Sequence, residues 1–226
     1  MRLNVIATGS SGNLYELLDS KGNAIIIEAG KPRYDYVSHK VGIECPEMCI
    51  ISHSHTDHSK YKGEFEAIMQ VHYKPAKCES KSFRVFGTPA KHGEITTQLF
   101  IIKSLVDNEI VFFGTDFEFG DYPELFKTLM ACNVTKFIIE CNYNDYLYHL
   151  ADDLNRIGCD RHLSDNDVIN FIKKTKAKNP TLILIHGSNR LCIDKYTIKY
   201  IKKKLPSAMI GIAKGVKGKT KDTFII

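Results

Sequence analysis

The histidine segment (residues 53–58) is the feature that most limits what this sequence can fold into. It reads H-S-H-T-D-H and directly follows the apolar run Met48–Ile51, which is typical of a buried strand. Three imidazoles and one carboxylate in six residues rarely occur together in a solvated turn. These side chains are the ligands that bind zinc, manganese or iron. The segment therefore predicts a metal-binding loop at the end of a strand.

One metal ion cannot comfortably use all four side chains. His53 and His55 lie two residues apart, so in an extended chain they point the same way, toward one ion. Asp57 and His58 come farther along the turn and can face a second ion. A pair of ions requires further ligands, which should also follow strands. Three candidates meet this condition, namely His92, Asp116 and His186.

The expected elements change in kind along the chain. The first half is mainly β, with strands over residues 3–7, 14–18, 24–27, 48–51, 83–86, 98–103 and 110–113 and one helix over residues 33–41. From residue 122 helices and strands alternate, with helices over 124–131, 165–176 and 195–204 and strands over 136–141 and 181–185. Ser164 is the expected N-cap of the helix that begins at Asp165. This pattern predicts an α/β fold in which helices cover the sheets.

Composition limits the number of domains, the cellular location and the cysteine chemistry that we expect. The chain has 226 residues, 43% of them hydrophobic, which fits a single domain over residues 1–226. No stretch approaches the roughly 18 apolar residues of a membrane span, and residues 1–10 do not form a signal peptide. We therefore expect a cytoplasmic protein without membrane contact. The seven cysteines include no C-x-x-C pair, which argues against a disulfide framework or a Cys-based zinc site.

The net charge of +5 suits a polyanionic partner without requiring one. From residue 190 to the end, ten Lys or Arg face only two Asp, so the basic excess lies in the last part of the chain. Such a surface can guide a nucleic-acid backbone, and it is also what an ordinary solvated helix carries.

With these motifs in view, the chain resembles the metallo-β-lactamase-fold hydrolases, whose hallmark is the H-x-H-x-D-H loop followed by isolated His, Asp and His ligands. Within them it is most similar to the YycJ-like branch. Three blocks carry that likeness in the same order, namely the opening turn at residues 9–13, Glu-Cys-Asn-Tyr at 140–143 and Arg-His-Leu-Ser-Asp at 161–165. The resemblance implies an αβ/βα sandwich of two mixed β-sheets flanked by helices.

The resemblance also implies how two divalent ions, zinc or manganese, would be held. One ion would take His53, His55 and His92, the other would take Asp57, His58 and His186, and Asp116 would bridge both. Two residues depart from the usual pattern. Glu28 ends the third strand where relatives usually have Asp, and residues 59–61 lack a common glycine. Neither change removes a ligand.

Two such ions can activate water and neutralise a bound phosphoryl oxygen, which predicts hydrolysis of a phosphodiester. The resemblance implies that this phosphodiester belongs to a nucleotide. Asp57 would orient the attacking water or accept its proton. His162 is the candidate acid for the leaving oxygen or a phosphate contact, and it could equally be a helix-end histidine bonded to the backbone. Ser11 and Asn142 are candidate substrate contacts, although a structural turn and a strand-end cap explain them as well.

Two classes of substrate remain possible, namely nucleic-acid ends and cyclic mononucleotides. The YycJ-like resemblance implies a nuclease acting on DNA ends. The phage anti-Pycsar enzymes share the same ligand set and open cyclic mononucleotides, and the short region before His92 slightly favours such a small substrate. Tyr143, Tyr146 and Tyr148 could stack on a base or simply pack. A lactam or thioester hydrolase and a non-catalytic binding module are more distant alternatives. Relatives of this kind imply a homodimer.

Overall fold

The computed structural model describes residues 1–42, 45–156, 158–188, 191–192, 194–215 and 222–226. The strands are β1 Arg2–Ala7, β2 Leu14–Leu18, β3 Ala24–Ile27, β4 Met48–Ile51, β5 Gln70–Tyr73, β6 Lys77–Glu79, β7 Phe83–His92, β8 Ile95–Ser104, β9 Ile110–Gly114, β10 Lys136–Glu140, β11 Thr181–Ile185, β12 Met209–Ile212 and β13 Asp222–Ile225. The helices are α1 Arg33–His39, α2 Thr56–Ser59, α3 Lys62–Glu66, α4 Pro123–Ala131, α5 Asp145–Leu150, α6 Asp153–Arg156, α7 Asp165–Thr175 and α8 Asp194–Lys204, with a 3₁₀ turn at Cys159–Arg161.

Two mixed β-sheets organise these strands. The first has the order β13-β1-β2-β3-β4-β5, with antiparallel pairs from β13 to β3 and parallel pairs from β3 to β5. The second has the order β12-β11-β10-β9-β8-β7-β6, in which β9 to β12 are parallel and β6 pairs antiparallel with β7. With the helices that flank them, the two sheets confirm the predicted α/β class.

Contacts divide the described chain into two compact units. The first unit contains Met1–Gly87, Phe100–Glu109 and Ala213–Ile226, and the second contains Thr88–Leu99 and Ile110–Ile212. The first sheet belongs to the first unit, where α1 contacts β1 and α3 contacts β5. In the second unit, α7 contacts α4 and α8, and α8 contacts β12.

Apolar side chains fill the interior of each unit. In the first unit, Tyr36 of α1 and Phe65 of α3 are buried against residues of β1 to β4. In the second unit, the buried ring of Phe171 on α7 lies 5.0 Å from Phe112 and 5.1 Å from Phe126, between ring centres. Large rings contribute much of the apolar area that burial removes from water, so these contacts hold helices against sheets.

The sequence predictions fail mainly at element ends. The strand at 83–86 was expected to stop at a Gly-Thr-Pro turn, but β7 continues through Pro89 to His92. Proline keeps an extended φ and lacks only one donor, so a strand can pass through it. The helix predicted at 33–41 ends at His39, and the strand at 136–141 ends at Glu140. The histidine segment was expected to be a loop throughout, yet α2 begins inside it, at Thr56.

Short elements escaped sequence analysis. The strands β5, β6 and β12 are too short to show a period, and they lack the continuous apolar run that reveals the equally short β3 and β4. Among the described residues no helix is both long and apolar enough to cross a membrane. The basic run expected from residue 190 onward falls partly on residues 190, 193 and 216–221, which lie outside the described ranges.

The predicted N-cap of α7 is confirmed. Ser164 Oγ accepts a hydrogen bond from the backbone N–H of Asp167 at 3.1 Å, and the Asp167 carboxylate accepts one from the backbone N–H of Ser164 at 3.0 Å. Two backbone donors that the helix leaves unpaired are thereby satisfied.

Ser164→Ala should lower the free energy of unfolding by about 1 kcal/mol, because one of these donors loses its acceptor. For a chain of this length the melting temperature should fall by roughly 2 to 4 °C. Ser207→Ala is the matched control, since Ser207 is exposed and its side chain has no recorded hydrogen bond within the described ranges. Equal melting temperatures for the two variants would contradict the capping role.

Candidate metal centre

Backbone hydrogen bonds brace the histidine segment inside the first unit. The N–H of Asn13 donates to the carbonyl of Asp57 at 2.7 Å, and the N–H of Ala29 donates to the carbonyl of His58 at 2.7 Å. The N–H of Gly30 donates in turn to the carbonyl of Asn13 at 2.9 Å. The turn after β1 and the end of β3 therefore both hold the segment from its backbone, which fixes where its side chains begin.

His53 and His55 present ring nitrogens to one place. His53 Nε2 lies 3.0 Å from His55 Nδ1, and the rings meet edge to face with centres 4.7 Å apart. Ser52 Oγ lies 2.9 Å from the other nitrogen of His53 and orients that fully buried ring. Two nitrogens converging at this distance can serve one cation, as their spacing in the sequence predicts.

His58 has polar side chains beside both of its ring nitrogens. Its Nδ1 lies 3.4 Å from Glu28 Oε1, and its Nε2 lies 2.9 Å from Asn13 Nδ2 and 3.3 Å from Asp57 Oδ2. Glu28 and His58 are both fully buried. The Glu28 carboxylate therefore faces Nδ1 of His58 at a distance beyond the usual hydrogen-bond length. A carboxylate behind a ligating histidine is a common arrangement in metal sites.

Three parallel strands bring the acidic and histidine side chains of the second unit together. β9, β10 and β11 are neighbours in register, and Asp116, Glu140 and His186 stand at or just beyond their carboxyl ends. Side chains that follow adjacent parallel strands meet at one edge of the sheet. This geometry explains why residues far apart in sequence converge there.

The Asp116 carboxylate faces different histidines with its two oxygens. Oδ2 lies 3.4 Å from His92 Nε2, while Oδ1 lies 3.3 Å from His186 Nε2 and 4.0 Å from His162 Nδ1. All but His162 are at least 96% buried. A carboxylate with one oxygen toward each of two histidines offers a separate donor atom on each side.

Glu140 ties the second-unit site together. Its Oε1 accepts hydrogen bonds from the N–H of Phe117 at 2.9 Å and of Leu163 at 3.3 Å, and its Oε2 accepts from His162 Nδ1 at 2.9 Å. The carboxylate is fully buried, so these three donors replace its hydration. They also fix the residues beside Asp116 and the ring of His162.

Backbone carbonyls and an amide orient two further histidines. His92 Nδ1 donates to the carbonyl of Arg161 at 2.9 Å, which places the lone pair on Nε2, the atom facing Asp116. Asn142 Nδ2 donates to the carbonyl of His186 at 3.0 Å. Asn142 therefore holds the backbone of His186 in place.

Burial and nearby negative charge have opposite effects on the pKa values of His92 and His162. Burial lowers the pKa of His92 below its ordinary value and outweighs the attraction of Asp116. Burial also opposes protonation of His162, but the charge and hydrogen bond of Glu140, with the charge of Asp116, outweigh it and raise the pKa.

The backbone is strained where the strands deliver their ligands. Asp116 has φ 53°, His186 has φ 54° and Glu28 has φ 67°. Side-chain-bearing residues seldom adopt this left-handed conformation, which costs of order 1 kcal/mol or more at each position. Such strain commonly accompanies functional sites, because the turn aims the side chain.

The donor set fits a divalent cation. In the second unit Asp116, Glu140, His162 and His186 each offer one ligand atom, and these atoms lie within 4.8 Å of one another. Imidazole nitrogen and carboxylate oxygen together suit zinc, manganese and iron. The His and Asp side chains are therefore suited to divalent metal binding.

The structure groups the candidate residues within each unit. The first unit brings together His53, His55, Asp57 and His58, and the second brings together His92, Asp116, His162 and His186. Ser11 is exposed and lines a separate first-unit cavity of about 370 Å³ with Lys31 and Lys214.

Sequence analysis missed the roles of Asn13 and Glu140. Glu140 gave a usable signal, because it is an acid ending an apolar strand beside two strands that end in ligands. The amide of Asn13 reaches Asp57 and His58 from a different turn, 44 and 45 residues away, and the sequence contains no comparable signal for it.

Several solved structures share the fold of this chain. YhfI of Bacillus subtilis, described as a metallo-β-lactamase-fold protein, superposes with a TM-score of 0.73 over 99% of each chain at 16% identity. The chain has the metallo-β-lactamase fold. Human tRNase Z, short form, aligns with a TM-score of 0.65 at 12% identity, over 100% of this chain and 99% of that one. A diphosphatase of the PhnP family aligns with 0.64 at 14%, over 99% and 98%. No protein-family profile and no curated sequence matches the chain.

The backbone of the histidine segment packs directly against Gly30. A Cβ built there would lie 1.7 Å from the carbonyl oxygen of Asp57 and 2.6 Å from the nitrogen of Asn13. Gly30→Ala should therefore push the histidine segment away and cost roughly 1 to 3 kcal/mol, or more, of unfolding free energy. Metal affinity, measured by calorimetric titration, should fall with it.

Gly63→Ala is the control for this substitution. A Cβ at Gly63, in α3, has nothing within 4 Å, so stability should stay equal or rise slightly. If Gly30→Ala kept full stability and metal affinity, the close packing of Gly30 against Asp57 would not support the site.

Proposed function

We propose that the protein is a binuclear metal-dependent hydrolase that cleaves a phosphodiester bond of a nucleotide. The observation that carries the proposal is the Asp116 carboxylate, whose two oxygens face His92 on one side and His186 on the other. A bridging carboxylate among histidines is the arrangement that holds two cations at the spacing used for phosphoryl chemistry. The likeness to tRNase Z, a ribonuclease by name, supports a nucleic-acid phosphodiester, and the likeness to a PhnP-family diphosphatase supports phosphoryl chemistry in general.

Seven residues are proposed as the ligands of two divalent ions, zinc or manganese. His53 and His55 with His92 would hold one ion, Asp57 and His58 with His186 would hold the other, and Asp116 would be shared. The converging nitrogens of His53 and His55 support the first set. The carboxylate of Glu28 behind His58 supports the second.

When bound, two such ions lower the pKa of water and neutralise charge on a phosphoryl oxygen. The protein's own groups would supply positioning and proton transfer. Asp57 Oδ2 accepts from Asn13 Nδ2 at 3.3 Å, which fixes the carboxylate to orient the attacking water or take its proton.

His162 is proposed to protonate the leaving oxygen. Its Nδ1 donates to Glu140 Oε2, so Nε2 is the ring atom from which a proton can pass to substrate. The carboxylate fixes the ring orientation and stabilises the imidazolium, as the buried acid does in other His–carboxylate pairs. His162 is 13% exposed in its side chain, so substrate can reach it.

A cyclic mononucleotide is the favoured substrate within this class, of the kind opened by phage anti-defence enzymes. The stretch between the histidine segment and β7 supports it, since this stretch contains only α3 and the short strands β5 and β6. A nuclease acting on nucleic-acid ends, as in the YycJ-like branch, is the alternative, and the basic excess after residue 190 supports it. A cytoplasmic location and a homodimer stay predictions from the sequence and its resemblance.

Protein loaded with zinc or manganese should hydrolyse bis-p-nitrophenyl phosphate and cyclic mononucleotides, and chelation should abolish both reactions. Asp116→Ala should lower the hydrolysis rate by more than 100-fold, because it removes a ligand shared by both ions. Loss of a residue that only supports a ligand typically costs roughly 10- to 100-fold. Asp121→Ala is the control, as Asp121 is 84% exposed and pairs only with Lys174 within the described ranges. Opening of a chromogenic lactam with the phosphodiester left intact would refute the proposal.

His162→Gln should lower kcat by about 10² to 10⁴ on a substrate with a poor leaving group such as a ribose oxygen. The loss should be much smaller on a p-nitrophenyl ester, whose leaving group needs no proton. His149→Gln, an exposed histidine of α5, should change neither rate. Equal losses on both substrates would show that His162 is not the acid.

A further inference from the structure

Two cysteines that are far apart in sequence meet beside the second-unit metal centre. Cys141 directly follows β10, and Cys192 lies in the connection between β11 and α8. Both are free thiols, and their side chains hydrogen-bond to each other. We call these two residues the thiol pair. No C-x-x-C spacing announces it in the sequence, because the fold alone brings the two residues together.

Backbone contacts hold the thiol pair in place. The N–H of Ser188 donates to the carbonyl of Asn142 at 2.8 Å, and the N–H of Cys192 donates to the carbonyl of Ser188 at 3.1 Å. A Cβ built at Gly187 would lie 3.5 Å from both the carbonyl oxygen of Cys141 and the Sγ of Cys192. The chain after β11 therefore turns back onto the end of β10, which brings the two sulfurs together.

The two thiols differ in access and in hydrogen bonding. Cys141 is 2% exposed, whereas Cys192 is half-buried. Cys192 Sγ lies 3.5 Å from the hydroxyl of Thr197, which accepts from Asn144 Nδ2 at 2.8 Å and so can direct its own hydrogen to the sulfur. The hydrogen bond from Cys141 lowers the pKa of the Cys192 thiol, burial opposes it, and Thr197 adds to the lowering. Cys192 is therefore the thiol that meets an oxidant first.

We propose that the thiol pair is an oxidative modification site, at which a peroxide forms a reversible disulfide. The sulfur of Cys192 attacks one oxygen of hydrogen peroxide, the O–O bond breaks, and a sulfenic acid and water result. The sulfur of Cys141 then attacks the sulfur of Cys192, the S–S bond forms, and the S–O bond breaks. A second water leaves with the Cys141 proton. The two thiols lose two electrons, which the peroxide gains, and a dithiol reductant reverses the change.

The disulfide would form next to groups that position His186. Asn142 follows Cys141 and donates to the carbonyl of His186 at 3.0 Å, and Gly187 follows His186 and packs against both cysteines. A disulfide draws two sulfurs closer than a hydrogen bond holds them, so this backbone must shift. Loss of a group that orients a ligand typically weakens metal binding by roughly 10- to 100-fold. We therefore expect oxidation to weaken metal binding, an effect that rests on the proposed function.

Disulfide formation is tested on chelated protein in which Cys45→Ser and Cys132→Ser remove two exposed thiols. After treatment with hydrogen peroxide, intact mass should fall by two hydrogen atoms, and peptide mapping should show Cys141 linked to Cys192. Dithiothreitol should restore the mass. Cys192→Ser should abolish the link, whereas Cys78→Ser, which removes a buried thiol of the first unit, should leave it unchanged. Oxidation of Cys192 to a sulfinic acid without a link, or no oxidation at either thiol, would overturn the proposal.

The order of the two steps is tested with a second variant. Cys141→Ala removes the thiol that resolves the sulfenic acid, so peroxide treatment should leave Cys192 as a sulfenic acid that dimedone labels. This variant also keeps the proposal testable if Cys192→Ser does not fold, which melting temperatures would show. A Cys192 that dimedone does not label in folded Cys141→Ala would overturn the proposed route.

The effect on the metal centre is tested by calorimetric titration with manganese, which thiolates bind less readily than zinc. The linked protein should bind manganese about tenfold more weakly than the reduced protein, and Cys192→Ser should show one affinity before and after peroxide treatment. Equal affinities of the linked and reduced protein would show that the disulfide does not act on the centre.

The two proposals fail separately. If the link forms but reduced, metal-loaded protein hydrolyses no phosphodiester, the proposed function is wrong and the modification site stands. If the protein hydrolyses phosphodiesters but peroxide forms no link, the modification site is wrong and the proposed function stands.

Discussion

The buried carboxylate of Glu140 is the constraint on which most of the second-unit site depends. A fully buried charge is tolerated only where donors replace its water, and here Phe117, His162 and Leu163 donate to it. Phe117 follows Asp116 directly, so satisfying Glu140 also fixes the turn that aims the candidate bridging carboxylate. Glu140 therefore acts on the chemistry through the positions of its neighbours.

In the first unit, backbone hydrogen bonds position the histidine segment. Asn13 and Gly30 form a relay of backbone hydrogen bonds that ends on the carbonyl of Asp57. The relay uses only main-chain groups, and the side-chain amide of Asn13 separately contacts Asp57 and His58. The absence of a Cβ at Gly30 permits the approach, which explains a glycine at a position whose conformation does not itself require one.

The sequence indicates the candidate ligands more clearly than the residues that position them. The meeting of Asp116 and His186 at one sheet edge could be predicted because each follows an apolar run, and parallel strands bring such positions together. The support from Asn13 depends on a tertiary contact across more than 40 residues, which no local pattern encodes. The extension of β7 to His92 was missed for a different reason. Gly-Thr-Pro is a strong turn signal, and only pairing within a sheet overrides it.

The left-handed backbone at Glu28, Asp116 and His186 has a consequence for engineering. Glycine would adopt these conformations without strain, so replacing any of the three would remove a local cost to folding. A search for more heat-resistant variants would therefore be drawn toward the very positions that aim the chemistry. At these three positions a gain in thermal resistance would come at the expense of the candidate site.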